Sequence, residues 1–191
     1  MVLKSNGFTL VEILVTSLII MLGVTGYVTL QSQYVLANTE INLRYLASQL
    51  AHEKVDDLAF FEQIESKAGK YAFNNIQSNS GGAIAAGPIY VALTTDAKNS
   101  YLYNINWLVV DYFYVDTNGD TQPDSWVQAG EPFYPQIVPW VADLKTAQVE
   151  VSWLSHKGLD KKITVFSQIS PILPSNSFHT KFRSISASAR P

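Results

Sequence analysis

The sequence predicts an α+β protein: one long N-terminal helix, membrane-spanning in its first half, packed on an antiparallel β-sheet. An apolar run over residues 8–30 holds a single charge, Glu12. A stripe of Leu43, Ala47, Leu50, Ala51, Val55 and Leu58 follows at steps of three and four, and no proline occurs before Pro88. Beyond Pro88 the chain turns to short runs rich in β-branched and aromatic residues, the composition of strands.

The first of these elements is a membrane anchor. A crossing helix needs about 20 mostly apolar residues, and residues 8–30 supply them. A carboxylate in lipid is expensive and is usually kept for a partner, which makes Glu12 the first candidate functional residue. A simpler reading lets Glu12 reach the headgroups from just inside the membrane. Lys4 precedes the helix and Arg44 is the next basic residue. That bias orients a single pass with the N-terminus in the cytoplasm and the remainder outside. A secretory signal carries its apolar core before a small-residue cleavage site. Here the core has no such site behind it, so the anchor is expected to stay on the mature protein.

The helix is predicted to continue past the membrane as an amphipathic segment over residues 31–68. No glycine falls between Gly26 and Gly69, and Leu, Gln, Ala, Glu and Lys are good helix formers. Arg44, Gln49, Glu53 and Asp56 lie opposite the apolar stripe, and Glu53, Asp56 and Asp57 read as a solvated face. At about 1.5 Å per residue such a helix is roughly 90 Å long. Gly23 and Gly26 are candidate points of flexing within it.

Residues 69–169 form the predicted β domain. Residues 78–88 read as a glycine-rich loop, residues 89–94 and 102–115 as strands. The second strand holds Trp107, Leu108, Val109, Val110, Tyr112 and Phe113, too apolar for an exposed position, and is placed centrally. Val149, Val151 and Trp153 alternate toward the core, residues 155–160 turn, and Lys161, Ile163 and Val165 begin the return strand of a hairpin. Residues 170–191, with Pro171, Pro174, Pro191, Lys181, Arg183 and Arg190, read as a loosely ordered polar tail.

Bulk properties narrow the function. The 191 residues leave room for one membrane helix and one modest domain. A net charge of −3 offers no electrostatic case for nucleic acid as a direct partner. The absence of cysteine removes disulfides, thiol catalysis and Cys-based zinc sites. His52, His156 and His179 lack metal-ligand spacing, and no nucleophile elbow, P-loop or dinucleotide fingerprint is present, so an enzyme is not expected. Trp126, Phe133, Tyr134 and Trp140, with Pro132, Pro135 and Pro139 among them, read as a loop over the sheet edge or as a surface for a partner subunit or a glycan.

One loop has the composition of a calcium site. Asp116, Asn118, Asp120 and Asp124 place oxygen side chains at positions 1, 3, 5 and 9, and Gln122 can add a backbone carbonyl. The segment resembles the acidic loops of thrombospondin type 3 repeats and, more loosely, an EF-hand. It departs from the EF-hand in placing Gly119 at position 4 and Val127 at position 12. The alternative is an ordinary turn, because Asn118-Gly119 is a hairpin signal by itself.

The N-terminus, Lys4 followed by Gly7-Phe8-Thr9-Leu10-Val11-Glu12 and an apolar helix, resembles that of a type IV prepilin. The resemblance covers about the first 50 residues strongly. It implies cleavage after Gly7 by a prepilin peptidase, N-methylation of the new terminus Phe8, and a type IV pilin-like fold. It further implies that Glu12 meets the Phe8 amine of an adjacent subunit in a staggered assembly. The C-terminal hairpin, with Val149, Val151 and Trp153 before a turn at Gly158, is similar to the end of type IV pilus modification proteins, a branch of the minor pilins. The function implied is a minor pilin that primes or caps assembly and supports adhesion. It would reside in the inner membrane, with its C-terminal domain periplasmic, and then in a surface filament. Its partners would be other pilin subunits and a pilus-tip adhesin. Two other readings stay open: a pseudopilin of a type II secretion or DNA-uptake system, and a membrane-tethered calcium-dependent adhesin.

Overall fold

The computed structural model describes residues 9–92, 100–137 and 141–173. Gly7, Phe8, Leu93, Thr94, Pro139, Trp140, His179 and the rest of residues 174–191 lie outside them. The chain divides into two compact units, Met1–Leu43 and Arg44–Pro191.

Helix α1, Leu10–Ala59, begins in the first unit. Thr9 starts it: the Glu12 amide donates to the Thr9 carbonyl at 3.1 Å and to Thr9 Oγ1 at 3.3 Å. The best 18-residue window has a mean hydropathy of 2.1, and none of it is buried. Such a bare apolar surface suits lipid or a neighbouring helix, not water. Hydroxyls within it are satisfied locally. Thr16 donates to the Glu12 carbonyl at 2.7 Å, Ser17 to Ile13 at 2.6 Å and Thr25 to Met21 at 2.7 Å. This back-bonding lets polar side chains sit in hydrocarbon without orphaned donors. The helix passes through Gly23 and Gly26 without interruption.

In the second unit α1 ends at Ala59, short of the expected residue 68. Tertiary pairing overrides helix propensity at this point. Phe61 is buried and meets the Phe73 ring edge-on at 5.4 Å. The Glu62 amide donates to the Tyr71 carbonyl at 2.9 Å and the Phe73 amide to the Gln63 carbonyl at 2.8 Å. These bonds double the chain back through Gly69, whose φ of +80° suits glycine. A short 3₁₀ turn, Phe73–Asn75, follows.

The sheet holds β1 Gly87–Ala92, β2 Ser100–Val115, β3 Ser125–Val127, β4 Leu144–Leu154 and β5 Asp160–Ile169. Its order is β1-β2-β4-β5, with β3 paired to the far end of β2, and every pairing is antiparallel. The apolar strand is therefore central, as expected. Gly87 and Pro88 belong to β1 instead of the loop, and Asp160 opens β5 instead of closing the turn. Strand β3 was not expected: Trp126 pairs opposite Tyr114, and their rings lie 4.8 Å apart.

Alternation along β2 and β4 builds the core. Tyr103, Ile105, Trp107 and Phe113 are buried on one face of β2; Ala147, Val149, Val151 and Trp153 share that face from β4. On α1, Leu43, Ala47, Ala51 and Leu58 are fully buried, while Leu50 and Val55 are half-buried. Lys54 is also fully buried, in the middle of that stripe.

Candidate assembly site

The features expected to govern assembly lie at the start of α1. Glu12 stands in the first helical turn, exposed, and is the acid of that turn. The local sequence Thr9-Leu10-Val11-Glu12 has the spacing of a capping box, in which the first residue caps the third amide onward. An acid there also opposes the positive end of the helix dipole. The observed cap is Thr9, whose hydroxyl oxygen accepts the Glu12 amide. Beyond Glu12 the surface of α1 is apolar: Ile13, Leu14, Leu18, Ile20 and Leu22 are each more than half exposed. A Cβ placed on Gly23 or Gly26 would meet nothing within 4 Å, so both backbones are open to close approach by another helix.

The second unit carries a charged clamp that the pattern of acids and bases did not reveal. Lys54 Nζ donates to Asp57 Oδ2 at 2.8 Å and to the carbonyls of Gly81 and Ile84 at 2.7 Å each. The same ammonium sits 3.9 Å from the centre of the Trp107 ring. Asp57 in turn accepts the amides of Ala83 at 2.8 Å and Ile84 at 3.0 Å. Glu53 and Asp56 are exposed, as expected of a solvated face, but the Asp57 side chain is only 16% exposed and belongs to this clamp. Burial pushes the Asp57 carboxyl up, yet the hydrogen bond from Lys54, the two amides and the Lys54 charge together hold it below its ordinary value. Burial lowers Lys54, against the hydrogen bond and charge of Asp57. Tyr71, beside the pair, is pushed up to about 12 by burial and by the Asp57 charge, against a backbone hydrogen bond from Gly82. Gly82, at φ +75°, leaves the room this needs; a Cβ there would run into the Asp57 carboxylate. A second internal lysine, Lys145, is 3% exposed and bonds Asp111 at 2.6 Å.

The acidic loop is closed on itself. Asp116 accepts the amides of Gly119 and Thr121 at 2.7 Å and of Asn118 at 3.1 Å. Asn118 Oδ1 accepts the Asp120 amide, and Asp120 accepts the Gln122 amide, each at 2.8 Å. Asp124 accepts both the amide and the hydroxyl of Thr117. The amide of Gly119, outweighing a small burial cost, and then those of Thr121, Asn118 and Asp120 hold the Asp116 carboxyl below its usual range. Among the described residues no cluster of three or more His, Asp or Glu is gathered as a metal site. These bonds join side-chain oxygens to backbone amides across a tight turn.

The remaining candidates are dispersed. His52 bonds the Ser48 carbonyl on the exposed side of α1, and His156 stands in the β4–β5 turn. Phe133 is 64% exposed, whereas Tyr134 packs its ring edge on Phe113.

Residues 3–28 match the family model for the prokaryotic N-terminal methylation motif. The chain thus carries the N-terminus of a type IV pilin-like prepilin, and the α+β architecture, a long N-terminal helix with an antiparallel sheet, matches that fold class. The motif implies processing by a prepilin peptidase, anchoring in a membrane and assembly with other pilins. No curated protein and no solved structure matches the chain.

Proposed function

We propose that this protein is a minor pilin of a type IV pilus, cleaved after Gly7, methylated at Phe8 and drawn into the filament by its N-terminal helix to prime or cap assembly. The observation that carries this reading is Glu12, a lone carboxylate in the first turn of α1, the single charge of the apolar run over residues 8–30, where the most apolar 18-residue window of the helix is uncovered. Buried without a cation it is strongly penalised; set against a neighbour's N-terminal amine it is tolerated. The pair therefore selects one axial stagger between subunits, while the apolar surface supplies packing. The absence of cysteine supports a minor over a major subunit, since major pilins with this N-terminus often close a C-terminal disulfide loop. The head is read as a structural and adhesive module without catalytic function.

Mass spectrometry of the mature protein tests the processing step. The expected result is an N-terminus at N-methylated Phe8; a surface-located chain that retains residues 1–7 contradicts the proposal. A pseudopilin of a secretion or DNA-uptake machine shares the same helix and would be processed identically. Neighbouring genes separate the two: sister minor pilins and a large tip protein on one side, secretion components on the other.

A tethered calcium-dependent adhesin would need the Asp116–Asp124 loop to hold an ion. The carboxylates there are committed to backbone amides, so millimolar calcium is expected to leave the thermal melt unchanged. Asp116→Ala is expected to speed hydrogen exchange at Gly119 and Thr121. Because the folded carboxyl lies below its ordinary value, the loop's own contribution is complete above pH 3.8 and disappears as pH falls through the folded value. A calcium-dependent rise in melting temperature, lost in Asp120→Ala, would favour the adhesin.

A further inference from the structure

The two edges of the sheet are built differently. β1 is short, six residues, and carries Pro88, which cannot donate a ladder hydrogen bond. β5 is ten residues long, without proline or glycine, and its charges are confined to Asp160, Lys161 and Lys162 at one end. From Ile163 to Ile169 the edge reads Ile-Thr-Val-Phe-Ser-Gln-Ile. Among the described residues, only β4 hydrogen-bonds to the β5 backbone. Natural proteins usually blunt such an edge with charge, proline or a bulge, because its unpaired amides and carbonyls template another strand.

The side chains of β5 show the same incompleteness. Ile163 and Val165 pair with Val151 and Val149 on the core face, yet they are half-buried where their partners are fully buried. On the opposite face Phe166 is 74% exposed. A strand laid beside β5 would cover both faces at once. At the charged end Lys162 is neutralised by Glu150 at 2.8 Å, while Lys161 is exposed and has no ion pair among the described residues.

We infer that the β5 edge receives an extended strand from a neighbouring pilin-class subunit, one with β-branched residues at alternate positions and an acidic side chain opposite Lys161. Main-chain hydrogen bonds would supply the binding, the alternate side chains the selectivity, and the acid the register. The inference rests on the filament reading above: the N-terminal helix brings subunits together, and the edge adds a contact between heads.

Hydrogen exchange of the full mature chain, compared between detergent micelles and isolated filaments, tests it. The expected result is a slowing of β5 amides by about tenfold or more in the filament, with β1 unchanged. Thr164→Lys with Phe166→Lys, on the exposed face of the edge, should abolish the slowing without altering the thermal melt. A chain that enters filaments with β5 exchange unaltered overturns the strand pairing and leaves the pilin reading intact. A chain that never enters filaments sinks both. Protection already present in micelles and lost on removing residues 174–191 would also overturn it, because the occupant would then be the chain's own segment.

Discussion

Replacing Glu12 with glutamine is expected to reduce incorporation into filaments by about tenfold or more, while the protein still accumulates in the membrane. Glutamine keeps the length and the hydrogen-bonding oxygen that a capping position uses, and removes only the charge. Alanine removes both. If charge pairing governs assembly, the two variants fail alike, because each leaves a neighbour's N-terminal cation without its counterion. If Glu12 matters only through side-chain hydrogen bonding at the start of α1, glutamine behaves as wild type and only alanine is impaired. Quantitative immunoblots of sheared filaments against membrane fractions distinguish these outcomes. Normal incorporation of the glutamine variant would reduce α1 to a plain anchor.

The second large effect is expected at the clamp. Lys54→Met removes an ammonium that satisfies Asp57 and two carbonyls, and leaves a mostly buried carboxylate without its cation. Breaking a buried pair from one side costs about 3–5 kcal/mol. In a unit of this size that lowers the melting temperature by on the order of 10 °C. Asp57→Ala should be comparable, since it strands Lys54 and the Ala83 and Ile84 amides. The double variant Lys54→Met with Asp57→Asn should recover part of the loss, because neither charge is then left alone. The clamp is also acid-labile. The folded Asp57 carboxyl lies below its ordinary value of 3.8, so its stabilisation is complete above that pH and lost as pH falls through the folded value. Near-ultraviolet circular dichroism melts of the full chain in detergent measure all of this. A Lys54→Met variant melting within about 1 °C of wild type would show that the clamp contributes nothing.

The clamp also marks where sequence reading stops. In the stripe from Leu43 to Leu58, a lysine at position 54 looks like an interruption on the margin of the apolar face. Its burial depends on carbonyls at Gly81 and Ile84, some thirty residues onward, and on the Trp107 ring beyond them. No local pattern encodes those acceptors. Asp57 was taken with Glu53 and Asp56 as solvated for the same reason: its amide partners come from a loop, not from its own helix. The helix end at Ala59 follows suit, since the burial of Phe61 against Phe73 and the bonds from Glu62 to Tyr71 compete with a helical propensity that runs on to residue 68. The acidic loop shows the converse limit. Oxygen side chains at alternate positions serve a cation or a row of backbone amides equally well, and in the structure they accept backbone amides.

What sequence alone determined were the features of short range and strong period: the uncharged run with its lone acid, the helical stripe, the central strand and the Val149–Trp153 alternation. Each depends on a residue's neighbours within one turn or one strand, and on the cost of exposing apolar surface to water. Tertiary structure decided where α1 stops, which charges are internal and how β3 joins the sheet. Those outcomes hang on groups far apart in the chain, whose hydrogen bonds acquire their value only after folding has removed the water between them.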